Sequence, residues 1–287
     1  MTGTEITIQV LTCSALAGLL GSVGLRLTWR EITTALKQCR FAAILVVNFA
    51  AIPLLALAIA SGFSLRRDLV IALTLLAASP FAPVVPVFAR MARGDLALAA
   101  ALTGVLPLTA AFLTPPLVHA ALMVISGAGA LQFNLLSSLM NLATTITLPL
   151  VTGVFVRYRA PDFARALLRP VEVTSEALGA VSLVFVTATQ FRSIMNLGWR
   201  AWLAIILVSE ISLLLGWKVG GSDRAARRVV ALGTSNRNIA LALLMAIQSF
   251  HGMEIAAAVV GYGLLLIGFG LLHVTWWRFE DAQRSRA

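Results

Sequence analysis

Charge is scarce in this 287-residue sequence: Asp, Glu, Lys and Arg together make up 12% of it, against roughly 25% in a soluble globular chain. Residues 6–25, 41–65, 69–89 and 255–277 contain none of the four. Cysteine is also sparse. Cys13 and Cys39 form no CxxC pair, so neither a disulfide framework nor a dithiol redox motif is expected. The three histidines, His119, His251 and His273, are scattered and make no zinc spacing. No Gly-rich phosphate loop and no nucleophile–base pair can be read, so an enzyme is not expected, and neither is an ATP-driven pump. The first apolar run has no basic stretch before it and is followed by Arg26 rather than small residues, which argues against a cleavable signal peptide.

What remains is apolar. Hydrophobic residues make up 59% of the chain and the mean hydropathy is +0.92. A bilayer-spanning helix needs about 20 such residues at 1.5 Å rise each. The 61 residues from Leu96 to Val156 carry no formal charge and must hold two spans. The sequence therefore predicts an all-α polytopic membrane protein with nine spans, at 6–27, 41–61, 68–91, 95–126, 131–157, 172–191, 199–219, 225–249 and 254–277. The turn inside the long run is expected at residues 126–129, and 28–38 and 162–169 read as interfacial amphipathic segments. The formal net charge of +10 does not point to nucleic acid, because the basic residues sit between apolar runs. Of 22 Lys and Arg, 17 fall on one side of the predicted spans and four on the other, with Arg237 inside a span. That asymmetry puts the N-terminus outside and the C-terminus in the cytoplasm.

Two spans cannot be regular helices. The third carries Pro80, Pro83 and Pro86 at a spacing of three, and each proline removes a backbone donor and crowds the preceding turn. The eighth runs Gly233-Thr234-Ser235-Asn236-Arg237-Asn238 between apolar flanks, a composition that favours caps over helix interiors. Irregular backbone at membrane depth is tolerated where protein buries it or it lines a cavity. Two interruptions five spans apart, hence in oppositely directed helices, match an inverted-repeat transporter with its site at the crossing. Arg237 is the cation in that break, and Glu210 in mid-span seven and Glu176 in span six are the carboxylates that would pair with it or carry a proton. Three readings of Arg237 stay open: contact for an anionic substrate, half of a structural pair with Glu210, or a side chain reaching water. Thr144, Thr145, Thr147 and Asn141 read as back-bonded or cavity-lining polar groups. Gly261, Gly263, Gly268 and Gly270 read as close helix packing, and Trp276 and Trp277 as an interface anchor.

Asn48-Phe49-Ala50-Ala51-Ile52-Pro53, Pro80 through Asp95, and Gly233 through Ala240 resemble the corresponding segments of the bile acid:sodium symporter superfamily. The resemblance covers nearly the whole chain and implies that family's fold, shared with sodium/proton antiporter-like transporters. It implies core helices over about 68–126 and 199–277 and panel helices over about 1–61 and 131–191. Of the family's sodium ligands, Thr103, Asn236 and the shortened amide Asn48 keep the expected chemistry, with Ser235 as a weaker candidate. Val85, Pro86, Ala99 and Ala231 stand where oxygen ligands are expected, and a hard cation needs oxygens. The expected function is a secondary transporter of a small organic anion, with Thr234, Ser235, Asn236, Arg237 and Asn238 binding substrate and sodium coupling by the usual two sites not expected. Proton-coupled or facilitative transport through Glu210 or Glu176, or a non-transporting sensor on the same fold, are the alternatives. No cofactor is expected. The expected partners are the lipid bilayer and the anion, and the expected location is a bacterial inner membrane.

Overall fold

The computed structural model describes residues 3–126, 133–250 and 253–284. Every regular element among them is helical: α1 Gly3–Arg26, α2 Trp29–Gln38, α3 Phe41–Gly62, α4 Arg67–Ala77, α5 Val85–Met91, α6 Leu96–Ser126, α7 Leu135–Arg159, α8 Pro161–Thr189, α9 Phe191–Met195, α10 Trp199–Val219, α11 Arg224–Ser235, α12 Ile239–Ser249 and α13 Met253–Arg284. Eight helical stretches among the described residues are long and apolar enough to cross a bilayer, with α11 and α12 together forming one. The third span expected from the sequence is α4 plus α5, whose halves of 11 and 7 residues are each too short to cross singly. This is an integral, multi-pass membrane protein. The turn expected at 126–129 and His251 lie outside the described residues, apart from the end of α6 at Ser126.

Three sequence expectations need correction. Residues 162–169 are not a separate interfacial segment but the first turns of α8, which runs on through Pro170. Gly268 has no neighbour within 4 Å of a Cβ, whereas Gly261, Gly263 and Gly270 are tightly approached. Trp277 is buried, its ring 5.5 Å from that of Trp217, and only Trp276 is exposed. The segment expected to be amphipathic forms a helix of its own, α2, opened by a capping box in which Thr28 and Glu31 serve each other's backbone N–H groups. The backbone N–H and hydroxyl of Thr28 hold the Glu31 carboxyl below the usual range.

The order of elements repeats with an offset of five spans: α1 and α8, α3 and α10, the broken α4/α5 and α11/α12, and the long α6 and α13 of 31 and 32 residues. Helix α1 packs along both α7 and α8. Gly24 and Gly153 sit face to face there, where a Cβ on either would meet backbone at 2.3–2.4 Å. Such small-residue contacts let helices associate where lipid supplies no hydrophobic drive between them. Helix α3 instead packs on α4 and α10. It holds a π-type turn at Val47–Ala51 just before Pro53, and α7 holds another at Ala143–Thr147 before Pro149.

Candidate functional site

Residues 78–84 and 236–238 are the two breaks. They face each other and exchange backbone hydrogen bonds: Ala82 N–H donates to the Asn236 carbonyl at 3.1 Å, and Asn238 N–H to the Ser79 carbonyl at 2.8 Å. The Thr114 hydroxyl of α6 donates to the Ala78 carbonyl at 2.6 Å. Backbone groups freed from helix at this depth must find partners inside the protein, and these three bonds supply them. Pro80 and Pro83 lie in the first break, while Pro86 sits in the first turn of α5, where a missing N–H costs nothing. In the second break only Asn236–Asn238 leaves the helix. Gly233, Thr234 and Ser235 are the last turn of α11, shorter by three residues than the interruption expected from sequence. Asn238 caps α12 through its side-chain oxygen, which accepts from Leu241 N–H at 3.1 Å.

Phe81 was not legible as a site residue. Its φ is +56°, in the left-handed region that non-glycine residues seldom occupy, and its fully buried ring lies against Gly233.

Arg237 is 3% exposed. Its Nη1 donates to Asn48 Oδ1 at 3.1 Å, while Nε and Nη2 have no hydrogen-bond partner among the described residues. The Asn48 amide is itself held in place, donating to the Ile44 carbonyl at 2.9 Å and the Thr234 hydroxyl at 3.3 Å. The pairing of Arg237 with Glu210, one of the three readings the sequence left open, is not formed. Glu210 Oε2 lies 3.1 Å from His273 Nε2, and it is α13 rather than the break that holds this carboxylate. Ser235 and Asn236 are turned inward: the Ser235 hydroxyl donates to the Leu232 carbonyl, and the Asn236 amide nitrogen to that carbonyl and to Ser235. Thr103 is fully buried, its hydroxyl without a partner among the described residues, and Val85, Ala99 and Ala231 beside the crossing are buried too.

Asn236, Arg237 and Asn238 line one side of a cavity of about 400 Å³. Thr12 of α1 and Glu176 and Ser182 of α8 line the other, and Thr12 and Ser182 share a hydrogen bond of 2.8 Å. A second cavity of about 250 Å³ adjoins it, since Leu19, Pro83, Val87 and Glu176 line both. Arg26, Arg90 and Arg169 line this outer cavity, with Glu172 paired to Arg26. Glu176 lines both cavities. Thr12 and Ser182 were missed, because each is one of several scattered hydroxyl residues on its helix and nothing in the sequence sets it apart.

A helical membrane protein with two interrupted spans meeting at a buried cation, beside a cavity between helix groups, has the architecture of a secondary transporter. Residues 2–268 match the SBF-like CPA transporter family, and the chain belongs to it, a family of transporters rather than enzymes within the bile acid:sodium symporter group. The chain is similar to proteins named sodium-dependent organic anion transporter: 24% identical to that of Mus musculus, over 84% of this chain and 66% of the relative. The corresponding figures are 23%, 94% and 73% for Homo sapiens, and 23%, 98% and 78% for Rattus norvegicus. The chain thus spans about two thirds of the mouse relative and somewhat more of the other two.

Proposed function

We propose that this protein carries a small organic anion across the membrane by alternating access, with Arg237 as the fixed positive charge that receives it. The observation behind this reading is the guanidinium at the crossing, buried, anchored by one nitrogen to Asn48 and left with two donors unpartnered among the described residues, beside a mostly apolar cavity. A guanidinium fork suits a carboxylate or sulfonate because it offers parallel donors. Asn236 and Asn238 border the anion, and Glu176 stands at the neck between the two cavities. Helices α1, α7 and α8 act as the frame. The remainder, including α3, moves as the transport bundle, an assignment supported by α3 packing on α4 and α10 and by the Asn48–Arg237 bond. Asn48 is a position where the family resemblance implies a sodium ligand, and here it gives its oxygen to Arg237. The guanidinium takes over the cation's part, and transport does not need sodium. The N-terminus is outside, the arginine-lined cavity opens to the cytoplasm, and the membrane is a bacterial inner membrane.

The test is uptake of radiolabelled aliphatic, aromatic and steroidal carboxylates and sulfonates into proteoliposomes, in sodium and in choline buffer. Uptake of one class in both buffers is expected. Arg237→Gln removes the charge and lowers substrate affinity roughly 30- to several-thousand-fold, the 2–5 kcal/mol of a truncated, desolvated charge contact, with thermal melting confirming that the variant folds. A panel in which no solute moves, or a variant with unchanged affinity, sinks the reading.

A further inference from the structure

Glu210 and His273 sit in the middle of α10 and towards the far end of α13, away from the cavity, and the proposed transport cycle does not use them. His273 Nδ1 lies 2.8 Å from the Phe269 carbonyl of its own helix. A carbonyl oxygen only accepts, so Nδ1 carries a hydrogen. The other ring nitrogen then meets Glu210 Oε2 at 3.1 Å, and a hydrogen bond there requires one further proton, on Nε2 or on the carboxyl. Whichever atom holds it, the pair with that proton is neutral overall. When the proton leaves for water the pair carries one negative charge, and the Nε2 lone pair faces a carboxylate. The contact then changes from a bond to a repulsion.

We propose that Glu210 and His273 form a proton-binding site that ties α10 to α13 when loaded and releases them when empty. Both helices reach the crossing from that point. Along α13, Leu266 and Ile267 line the cavity, and Gly270 packs on the Asn236 amide and the Phe88 ring, one turn before His273. On α10, Gly216 lies against Val230, Ala231 and Thr234 of α11, and Thr234 accepts from Asn48. Helix α11 thus lies between two helices whose union depends on one proton. Glu210 Oε1 is buried without a partner among the described residues, so no second donor offsets the charge left after release.

The other charged groups on the elements packed nearby are engaged elsewhere or belong to other regions. Arg228 of α11 is bidentate to Asp281 and bonded to the Ala92 carbonyl, Arg224 pairs with Glu280, and the Arg227 Nε donates to the Gly221 carbonyl. Helices α3 and α12 carry no titratable side chain. Arg90 of α5 and Glu172 and Glu176 of α8 line the cavities, Asp68 of α4 pairs with Arg66, Arg192 lies on α9, and Lys218 lies two turns along α10.

This inference rests on the transport reading only for its use, as the coupling ion in place of sodium, and its test needs no substrate. Infrared difference spectra are recorded as pH is stepped on the protein in lipid nanodiscs, with ¹⁵N-labelled histidine to mark the imidazole bands. An imidazole band and a carboxyl band that change together over one pH range are expected in the wild type. The joint change is lost in both variants: Glu210→Gln leaves the His273 imidazole to titrate without a carboxyl band, and His273→Gln leaves the Glu210 carboxyl to titrate without an imidazole band. A joint change that survives in either variant, or that is absent from the wild type, overturns the site. That result would leave Arg237 and its anion unaffected. Conversely, a proteoliposome panel without uptake removes the coupling role and leaves the proton site standing.

Discussion

Gly233 has no side chain because the Phe81 ring occupies the space: a Cβ there would lie 2.1–2.5 Å from three ring carbons. The ring cannot simply retreat. It is fully buried, and its backbone is held in the left-handed region by the bonds joining the two breaks. Gly233→Ala is therefore expected to lower stability by about 1–3 kcal/mol, the usual cost of overpacking. Phe81→Ala in the same chain would regain part of that loss despite leaving a cavity of its own. Thermal melting of the single and double variants in detergent checks the claim, and a single variant that melts like wild type shows the contact to be slack. The same residue explains part of what the sequence concealed. The glycine was legible as a breaker, but its role is to receive an aromatic ring from 152 positions away, and nothing in Pro80-Phe81-Ala82 announces a residue with positive φ.

At the scale of elements, proline alone does not locate a break. Pro107, Pro115 and Pro116 lie inside α6 and Pro170 inside α8, yet both helices continue. The chain leaves the helix at Pro80 and Pro83 because partners for the freed groups exist there, in Asn236, Asn238 and Thr114. Pattern was enough to read the spans, the two interruptions and their opposite directions, since 20-residue apolar runs and polar gaps are local signals. It was not enough to end α11 at the right residue. Thr234 and Ser235 disfavour helix interiors in isolation, but α11 is pressed against α10 at Gly216, and the last turn is kept. Nor does pattern reveal which carboxylate meets which cation. Glu210 and Arg237 were the natural pair by depth, but depth along the membrane normal leaves the azimuth of each side chain undetermined, and Glu210 faces α13. The cavity wall from α1 and α8 was hidden for the same reason: Thr12 and Ser182 meet across 170 positions.

For the whole molecule, orientation and coupling are the properties at stake. Three of the basic residues that the predicted topology puts in the cytoplasm, Arg26, Arg90 and Arg169, line one cavity. With Cys13 and Cys39 replaced, Asn196→Cys is expected to react with an impermeant maleimide on intact cells, and Asp162→Cys only after permeabilisation. Both positions are exposed, so reversed labelling would invert the molecule and turn the arginine-lined cavity outward. Sodium gives a second global test. A ligand bound only by the folded state adds RT ln(1 + [L]/Kd), about 2.7 kcal/mol at a hundredfold excess over Kd. In this fold Asn48 already gives its oxygen to Arg237, while Val85, Ala99 and Ala231 offer only buried hydrocarbon. A second cation beside a buried guanidinium is repelled, and among the described residues Thr103 and Asn236 are the candidate ligands that keep an unpartnered side-chain oxygen, against the roughly six oxygens a hard ion takes. Replacing choline by sodium should leave the melting temperature unchanged in the wild type. In Arg237→Ala, which frees the Asn48 oxygen and removes the positive charge, a sodium-specific rise should appear if the guanidinium is what excludes the ion. A rise of several degrees already present in the wild type would mean that sodium binds alongside Arg237 and that the arginine does not take its place.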